Sequence, residues 1–306
     1  MRVQLKNIIC TTDFSDLSYY SVSYGIALAR EFKAKLYLCH VIDLSSSVIY
    51  GETTFALEIQ NDNLEDYAYS KMKMLMQDKG VDWEPIVSTG RAADEIARIA
   101  GEREIDMVIT ATRGRSGLKR LVLGSVTEHL MRLSPCPLLA VRGKEKGSRP
   151  SFDQDIKFNR ILVGCDFSKD SILAYQYGLS LAQEFQADIH LAHVIAPPIY
   201  KDLPRSINET REKLRQDLRV ELKERLESMV PVEAHNWCTP KTVLLAGQPH
   251  EEISKYAVVQ DMDLVVLGVR GHSLVESLFV GSTTDRVVRQ IPCPVLSVRA
   301  DGKVLD

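Results

Sequence analysis

Short apolar runs alternate along the whole of this 306-residue chain with longer stretches whose apolar positions recur every three or four residues. In the first half the runs predict strands at Ile8–Thr11, Leu36–Ile42, Pro85–Ser88, Met107–Ala111 and Leu138–Val141. The helical period fills the gaps, over Leu17–Phe32, Leu57–Lys79, Ala92–Arg103 and Ser125–Leu133. The second half follows suit. Strands are expected at Ile161–Gly164, Ile189–Ile195, Val243–Leu245, Leu264–Leu267 and Val295–Val298. Helices are expected at Ile172–Phe185, near 206–229, at Glu251–Val259 and at Thr283–Gln290. Such alternation argues for a parallel sheet with crossover helices. The helix near 206–229 carries Leu214, Leu218, Leu222 and Leu226 at i, i+4 spacing, which predicts an apolar stripe packed on its own sheet.

The two halves repeat each other. Residues 7–43 align without a gap on 160–196 at an offset of 153, with 16 of 37 positions identical. Residues 104–142 align on 261–299 at an offset of 157, which carries Gly114 onto Gly271, Gly124 onto Gly281 and Pro135-Cys136-Pro137 onto Pro292-Cys293-Pro294. A repeat of this length makes each half one folding unit. We place the first domain at 1–143, a polar linker at 144–157 and the second domain at 158–306.

Composition narrows the function. A formal net charge of −3 gives no general attraction to nucleic acid or to an anionic membrane. No apolar stretch approaches the roughly 18 residues needed to cross a bilayer, and the N-terminus lacks a signal-peptide core, so a cytoplasmic protein is expected. The six cysteines form no CxxC pair, and those in strands are expected to act as small buried hydrophobes. There is no HExxH, GxSxG or GxxxxGK[ST] motif, so a catalytic metal, a hydrolase triad and a P-loop have no anchor.

The candidate chemistry sits between the fourth strand and the last helix of each half. In the second half Gly268, two residues, Gly271, nine residues and Gly281-Ser282-Thr283 lead into a helix. Glycines permit close backbone approach to an anion, successive N–H groups can form a nest, and the helix start adds unpaired donors with a positive dipole end. Arg270 adds positive charge and Ser282 and Thr283 add hydroxyls. The alternative gives Gly271 to a turn and makes Ser282 the N-cap. Asp166 and its twin Asp13 follow the first strand of each half, on the same carboxyl edge where open parallel sheets bind ligands. Each could contact a nucleoside or a metal bound to phosphate, or cap the next helix in competition with Ser168 or Ser15. In the first half the loop carries Ala111, Gly114, Gly124 and Ser125, with Arg113, Arg115, Lys119 and Arg120 between them. A methyl at Ala111, where the first glycine belongs, ranks this site below the second.

Four motifs recur in order in both halves: the Asp13-Phe14-Ser15 and Asp166-Phe167-Ser168 turns, His40-Val41 and His193-Val194, the glycine loop, and Pro-Cys-Pro. In these residues each half resembles a universal stress protein domain, and the chain resembles the tandem two-domain members of that family. The resemblance implies two flavodoxin-like, Rossmann-like α/β domains, each a five-stranded parallel sheet of order 3-2-1-4-5, paired through their last strands as an intramolecular pseudo-dimer. It implies ATP or Mg-ATP as ligand, with Asp166 at the nucleoside, backbone groups of Val194 at adenine, and Gly268, Gly271, Gly281 and Ser282 at the phosphates. The first-half counterparts are Asp13, Val41, Gly114, Gly124 and Ser125. A non-enzymatic stress-response signalling module follows, with an unidentified protein partner and association of two chains as further expectations. The alternatives are a slow ATPase or adenylating enzyme on the same fold, and a nucleotide-free scaffold.

Overall fold

The computed structural model describes residues 3–43, 54–112, 123–143, 156–197, 208–271 and 280–300. The first half runs β1 (Asn7–Thr11), α1 (Asp16–Phe32), β2 (Lys35–Ile42), α2 (Thr54–Met76), β3 (Trp83–Thr89), α3 (Ala92–Glu102), β4 (Met107–Ala111), α4 (Ser125–Leu133) and β5 (Leu138–Val141). The second repeats the order: β6 (Arg160–Gly164), α5 (Lys169–Phe185), β7 (Asp188–Ile195), α6 (Asn208–Ser228), β8 (Pro240–Ala246), α7 (Pro249–Val259), β9 (Leu264–Gly268), α8 (Ser282–Gln290) and β10 (Val295–Val298). A short 3-10 turn at Val232–Asn236, not expected from the sequence, follows α6.

All ten strands form one sheet in the order β3-β2-β1-β4-β5-β10-β9-β6-β7-β8. Each half therefore has the expected 3-2-1-4-5 order, and its pairs are parallel. The halves join where β5 and β10 run antiparallel, with Leu139 opposite Leu296. An unpaired edge strand invites uncontrolled pairing. Here each half covers the other's last strand, so this edge of both sheets is closed.

The central strands are buried on both faces, which is why they read as continuous apolar runs. Ile8 and Ile9 are adjacent and point to opposite faces, yet both are fully buried. One face of the sheet carries α1, α2, α5 and α6, whose Ile26, Met72, Tyr177 and Leu226 share a core with Ile8 and Ile161. The other face carries α3, α4, α7 and α8, contributing Ile96, Leu130, Ile253 and Val287.

The leucine stripe of α6 is only partly what its spacing predicts. Leu226 is fully buried and Leu222 packs partly against the core, but Leu218 is 44 % exposed. The side chain of Leu214 lies outside the described residues. In α2 the pattern is the same: Met72 is buried, whereas Leu64 and Tyr67 are largely exposed.

Candidate functional site

The site of the second half grows out of three chain reversals at the carboxyl ends of β6, β7 and β9. After β6 the chain turns sharply, with Phe167 in the left-handed region at φ 64°. Its ring lies against His193 at 4.9 Å and beneath the Arg225 guanidinium at 4.0 Å. Phe14, at φ 60°, stacks on His40 at 4.5 Å in the first half. The repeated histidines are structural: Nδ1 of His193 bonds the Cys165 carbonyl and Nδ1 of His40 bonds that of Thr12, both at 2.8 Å.

The competition for the helix cap is settled in favour of serine. Ser168 Oγ accepts from the Ser171 N–H at the start of α5, and Ser15 Oγ does the same for α1. Asp166 is left with a local turn bond, its Oδ1 accepting from the Ser168 N–H at 3.0 Å. Asp13 Oδ1 likewise accepts from the N–H and hydroxyl of Ser15. Asp166 lines the cavity of the second half and Asp13 that of the first.

Strand geometry exposes the backbone of Val194. The Cys165 N–H bonds the Ala192 carbonyl, while the Gly247 N–H on the other side bonds that of Ile195. Backbone groups alternate sides along a strand, so Val194 faces β6 as Ala192 does. But β6 ends at Gly164 and the chain turns away. The N–H and carbonyl of Val194 therefore project past the end of β6 into the cavity, ready for the edge of a planar heterocycle. Val41 occupies the same position in the first half, between Cys39, bonded by the Thr12 N–H, and Ile42, bonded by that of Gly90.

The glycine loop is pinned at its neck. The Gly281 N–H bonds the Val269 carbonyl at 2.7 Å, and Gly124 bonds Thr112 in the same way at 2.8 Å. Buried Thr284 donates from Oγ1 to the Gly268 carbonyl, and Thr127 to that of Ala111. Gly281 is the N-cap of α8 and makes no side-chain cap, which makes Ser282 the first helical residue and overturns the reading of Ser282 as N-cap. Ser282 is exposed and Thr283 half-buried, and both line the cavity beside the unpaired N–H groups of the first turn.

Each glycine has its own reason. A Cβ on Gly271 would lie 2.6 Å from Asp166 Oδ2, and one on Gly281 would lie 3.1 Å from the Val269 carbonyl. A Cβ on Gly268 would meet the backbone of Asp170 and Ser171 at 2.8 Å. Packing against α5 thus gives the first glycine a structural reason of its own, independent of any ligand.

Arg270 has a partner that the sequence did not suggest. Its guanidinium is bound to the buried carboxylate of Asp170, with Nε to Oδ2 at 3.1 Å and Nη2 to Oδ1 at 3.2 Å. The Arg270 N–H also bonds Asp170, and its carbonyl accepts from Ser168 Oγ. Arg270 lines the cavity but serves as the strut that fixes the loop. Asp170 was missed in the sequence because its twin is Leu17, and the repeat hides what only one half contains.

These parts enclose a cavity of about 870 Å³ lined by Asp166, Val194, Gly268, Arg270, Gly271, Gly281, Ser282 and Thr283. Eight of the sequence-derived site residues therefore meet in one place. In the first half Asp13, Val41, Gly124 and Ser125 line a cavity of about 320 Å³ together with Ala111. Gly114, with Arg113, Arg115, Lys119 and Arg120, lies outside the described residues.

The cysteines are inert where described. Burial pushes the thiols of Cys10 and Cys39 up to about 12, and that of Cys293 likewise to about 12. Among the described residues no cluster of His, Cys, Asp or Glu could hold a metal ion, and no helix is long and apolar enough to cross a membrane.

Comparison with known proteins agrees with the fold. A model of the universal stress protein family matches residues 4–142 and again 157–299. Universal stress protein Slr1230 of Synechocystis is 26% identical over 326 aligned residues, covering 96% of this chain and 100% of its own length. Universal stress protein MJ0531 of Methanocaldococcus jannaschii is 31% identical over 144 residues, which is 46% of this chain and 84% of that protein. The crystal structure of a universal stress protein from Archaeoglobus fulgidus superposes with a TM-score of 0.66 at 21% identity, covering 97% of this chain and 100% of its own. The family match spans nearly everything but the linker and falls once on each half. The chain belongs to the universal stress protein family, with two of its domains in tandem.

Proposed function

We propose that the second half binds a nucleoside triphosphate, ATP with or without Mg²⁺, and that the protein is a nucleotide-dependent stress-response module rather than an enzyme. The observation that carries this reading is the convergence of three unlike features on one cavity: the projecting backbone edge of Val194, the carboxylate of Asp166, and the Gly271 and Gly281-Ser282 cradle at the start of α8. They suit a base, a ribose and a polyphosphate in that order. The volume of about 870 Å³ is in the range of small-molecule sites, whereas 320 Å³ is at its lower limit. The Asp170 strut holds the second loop before any ligand arrives, and Leu17 supplies no such strut to the first. We therefore assign binding to the second half and a mainly structural role to the first. His193 and Asp166, the titratable groups nearest the base and ribose positions, are already engaged by backbone groups, which suits holding a ligand more than reacting with it. Occupancy of the site is then the signal, delivered to a protein partner.

The test is the nucleotide content of freshly purified protein, released by denaturation and separated by anion exchange, alongside calorimetry with Mg-ATP. About one nucleotide per chain in wild type, lost in Gly281→Asp, supports the assignment. No released nucleotide and no binding at millimolar Mg-ATP overturns it and favours a scaffold. Steady turnover of about 1 per second or more, abolished by Asp166→Asn, makes the protein an ATPase instead.

A further inference from the structure

The wall of the larger cavity is not built by the second half alone. Glu128 and Arg132, both on α4 of the first half, line it together with Asp285 and Arg289 of α8. The four form a chain of charges across the junction. Arg132 Nη2 bonds Glu128 Oε1 at 2.8 Å, Glu128 Oε2 accepts from Arg289 Nη2 at 3.1 Å, and Arg289 is held by Asp285 at 2.8 Å. Glu128–Arg132 and Asp285–Arg289 are twins under the 157-residue offset, so the arrangement is a pseudo-symmetric pair meeting face to face. Among the described residues its use is one-sided: none of the second half lines the smaller cavity.

Two features make Arg132 more than a surface ion pair. Its Nε is buried and has no hydrogen-bond partner, although an arginine donor out of water ordinarily finds one. Its backbone carbonyl is capped by Arg299 Nη1 from the end of β10, which fixes the last turn of α4 against the second half. Glu128 thus holds the guanidinium, the second half holds the turn of α4 that carries it, and the cavity it lines also contains the cradle at Ser282. Asp285 is about 4.5 Å along the axis from Ser282, three residues at 1.5 Å each, so the charged cluster begins one helical turn beyond the cradle.

We infer that the second site is composite, and that Arg132 of the first half binds the distal phosphate of a polyphosphate ligand, with Glu128 as the competing intramolecular anion. The inference rests on the nucleotide reading above and adds a specificity determinant to it. Base, ribose and first phosphate are held by the second half alone, while the outermost phosphate is recognised across the junction. An arginine fork suits a phosphate with several free oxygens. The consequence is discrimination by phosphate number. It also ties occupancy to the junction, because a phosphate that takes Arg132 from Glu128 releases the link from Glu128 to Arg289.

The experiment titrates Mg-ATP, Mg-ADP and AMP into wild type, Arg132→Ala and Glu128→Gln, with thermal melting of each variant as a check on folding. Arg132→Ala is expected to weaken ATP about tenfold or more, as for loss of a charge-assisted hydrogen bond, and to leave AMP within about twofold. Glu128→Gln is expected to tighten ATP, since its competitor for Arg132 is gone; a misfolded variant cannot do that. Equal weakening of all three ligands by Arg132→Ala, or no weakening of any, overturns the composite site. If wild type binds none of the three, the nucleotide reading itself fails. Inorganic tripolyphosphate then decides the anion site separately: it raises the melting temperature of wild type but not of Arg132→Ala if Arg132 binds distal phosphate, and of neither or both alike if it does not.

Discussion

Arg142, at the end of β5, donates from Nη1 to the carbonyl of Ile291, 149 positions later, at 3.1 Å. The same nitrogen reaches the carbonyls of Arg289 and Gln290, so one guanidinium caps the exit of α8. Arg299, its twin at the end of β10, caps the exit of α4 at Arg132. Each half closes a helix of the other, and a cation suits a helix C-terminus on both hydrogen-bonding and dipole grounds.

This reciprocal capping predicts that Arg142→Ala lowers stability by about 1.5 kcal/mol, the low end for hydrogen bonds to charged groups. Arg142→Lys, a point charge that cannot fork, recovers only part. The urea midpoint of each variant checks the order, and the double variant Arg142→Ala/Arg299→Ala should separate the melting of the halves into two steps.

Asp170 carries a larger share. It accepts from the Arg270 side chain and N–H and from the N–H of Ala300, and it is 3 % exposed. Asp170→Ala strands a mostly buried guanidinium, and removing one partner of such a pair costs about 3–5 kcal/mol. Asp170→Asn keeps an acceptor and should cost less. Chemical denaturation measures both, and nucleotide affinity should fall with Asp170→Ala because the loop loses its strut.

Gly271→Ala tests the cradle. The new methyl falls 2.6 Å from Asp166 Oδ2, so the carboxylate must shift and strain the bond by which Ser168 holds Oδ1. Overpacking of this kind costs about 1–3 kcal/mol. Borne by the site, that is about tenfold in ligand affinity per 1.4 kcal/mol. Calorimetric titration should show the loss; an unchanged affinity would place the ligand away from Asp166.

Alkaline pH should destabilise the fold. The thiols of Cys10, Cys39 and Cys293 are pushed up to about 12 in the native protein from an ordinary value of 9.0. Between those values the unfolded chain gives up protons that the native state keeps. Stability is therefore intact below about pH 9 and falls as pH rises, by about 1.4 kcal/mol per pH unit for each thiol. Denaturation at pH 8 and pH 10 measures the slope, and Cys39→Ala should make it shallower by one thiol's share.

The amino-acid sequence by itself determined the duplication, the α/β alternation and the place of the glycine loop at the start of each last helix. Those follow from local rules: strands buried on both faces must be continuously apolar, crossover helices must show a 3.6 period, and a cradle at a helix start must use residues without bulk. Most boundaries agree with the structure to within three residues because these signals are contained in short segments. The pairs Thr127–Thr284 and Arg142–Arg299 were also present in the repeat, legible as recurring polar residues but without a stated partner.

The tertiary structure decided which atoms are spent and which are left over. Arg270 lines the cavity, but only the fold showed α5 bringing Asp170 against it. Gly268 lines the cavity, but only the fold showed that the same helix fills the space beside its Cα. Leu218 looked like core, yet it is 44 % exposed and lines the larger cavity. Above all, Glu128 and Arg132 entered the second cavity through the antiparallel meeting of β5 and β10. That contact joins residues more than 150 positions apart. No periodicity or spacing within either half encodes it, because it arises from two surfaces whose complementarity exists only once both are folded.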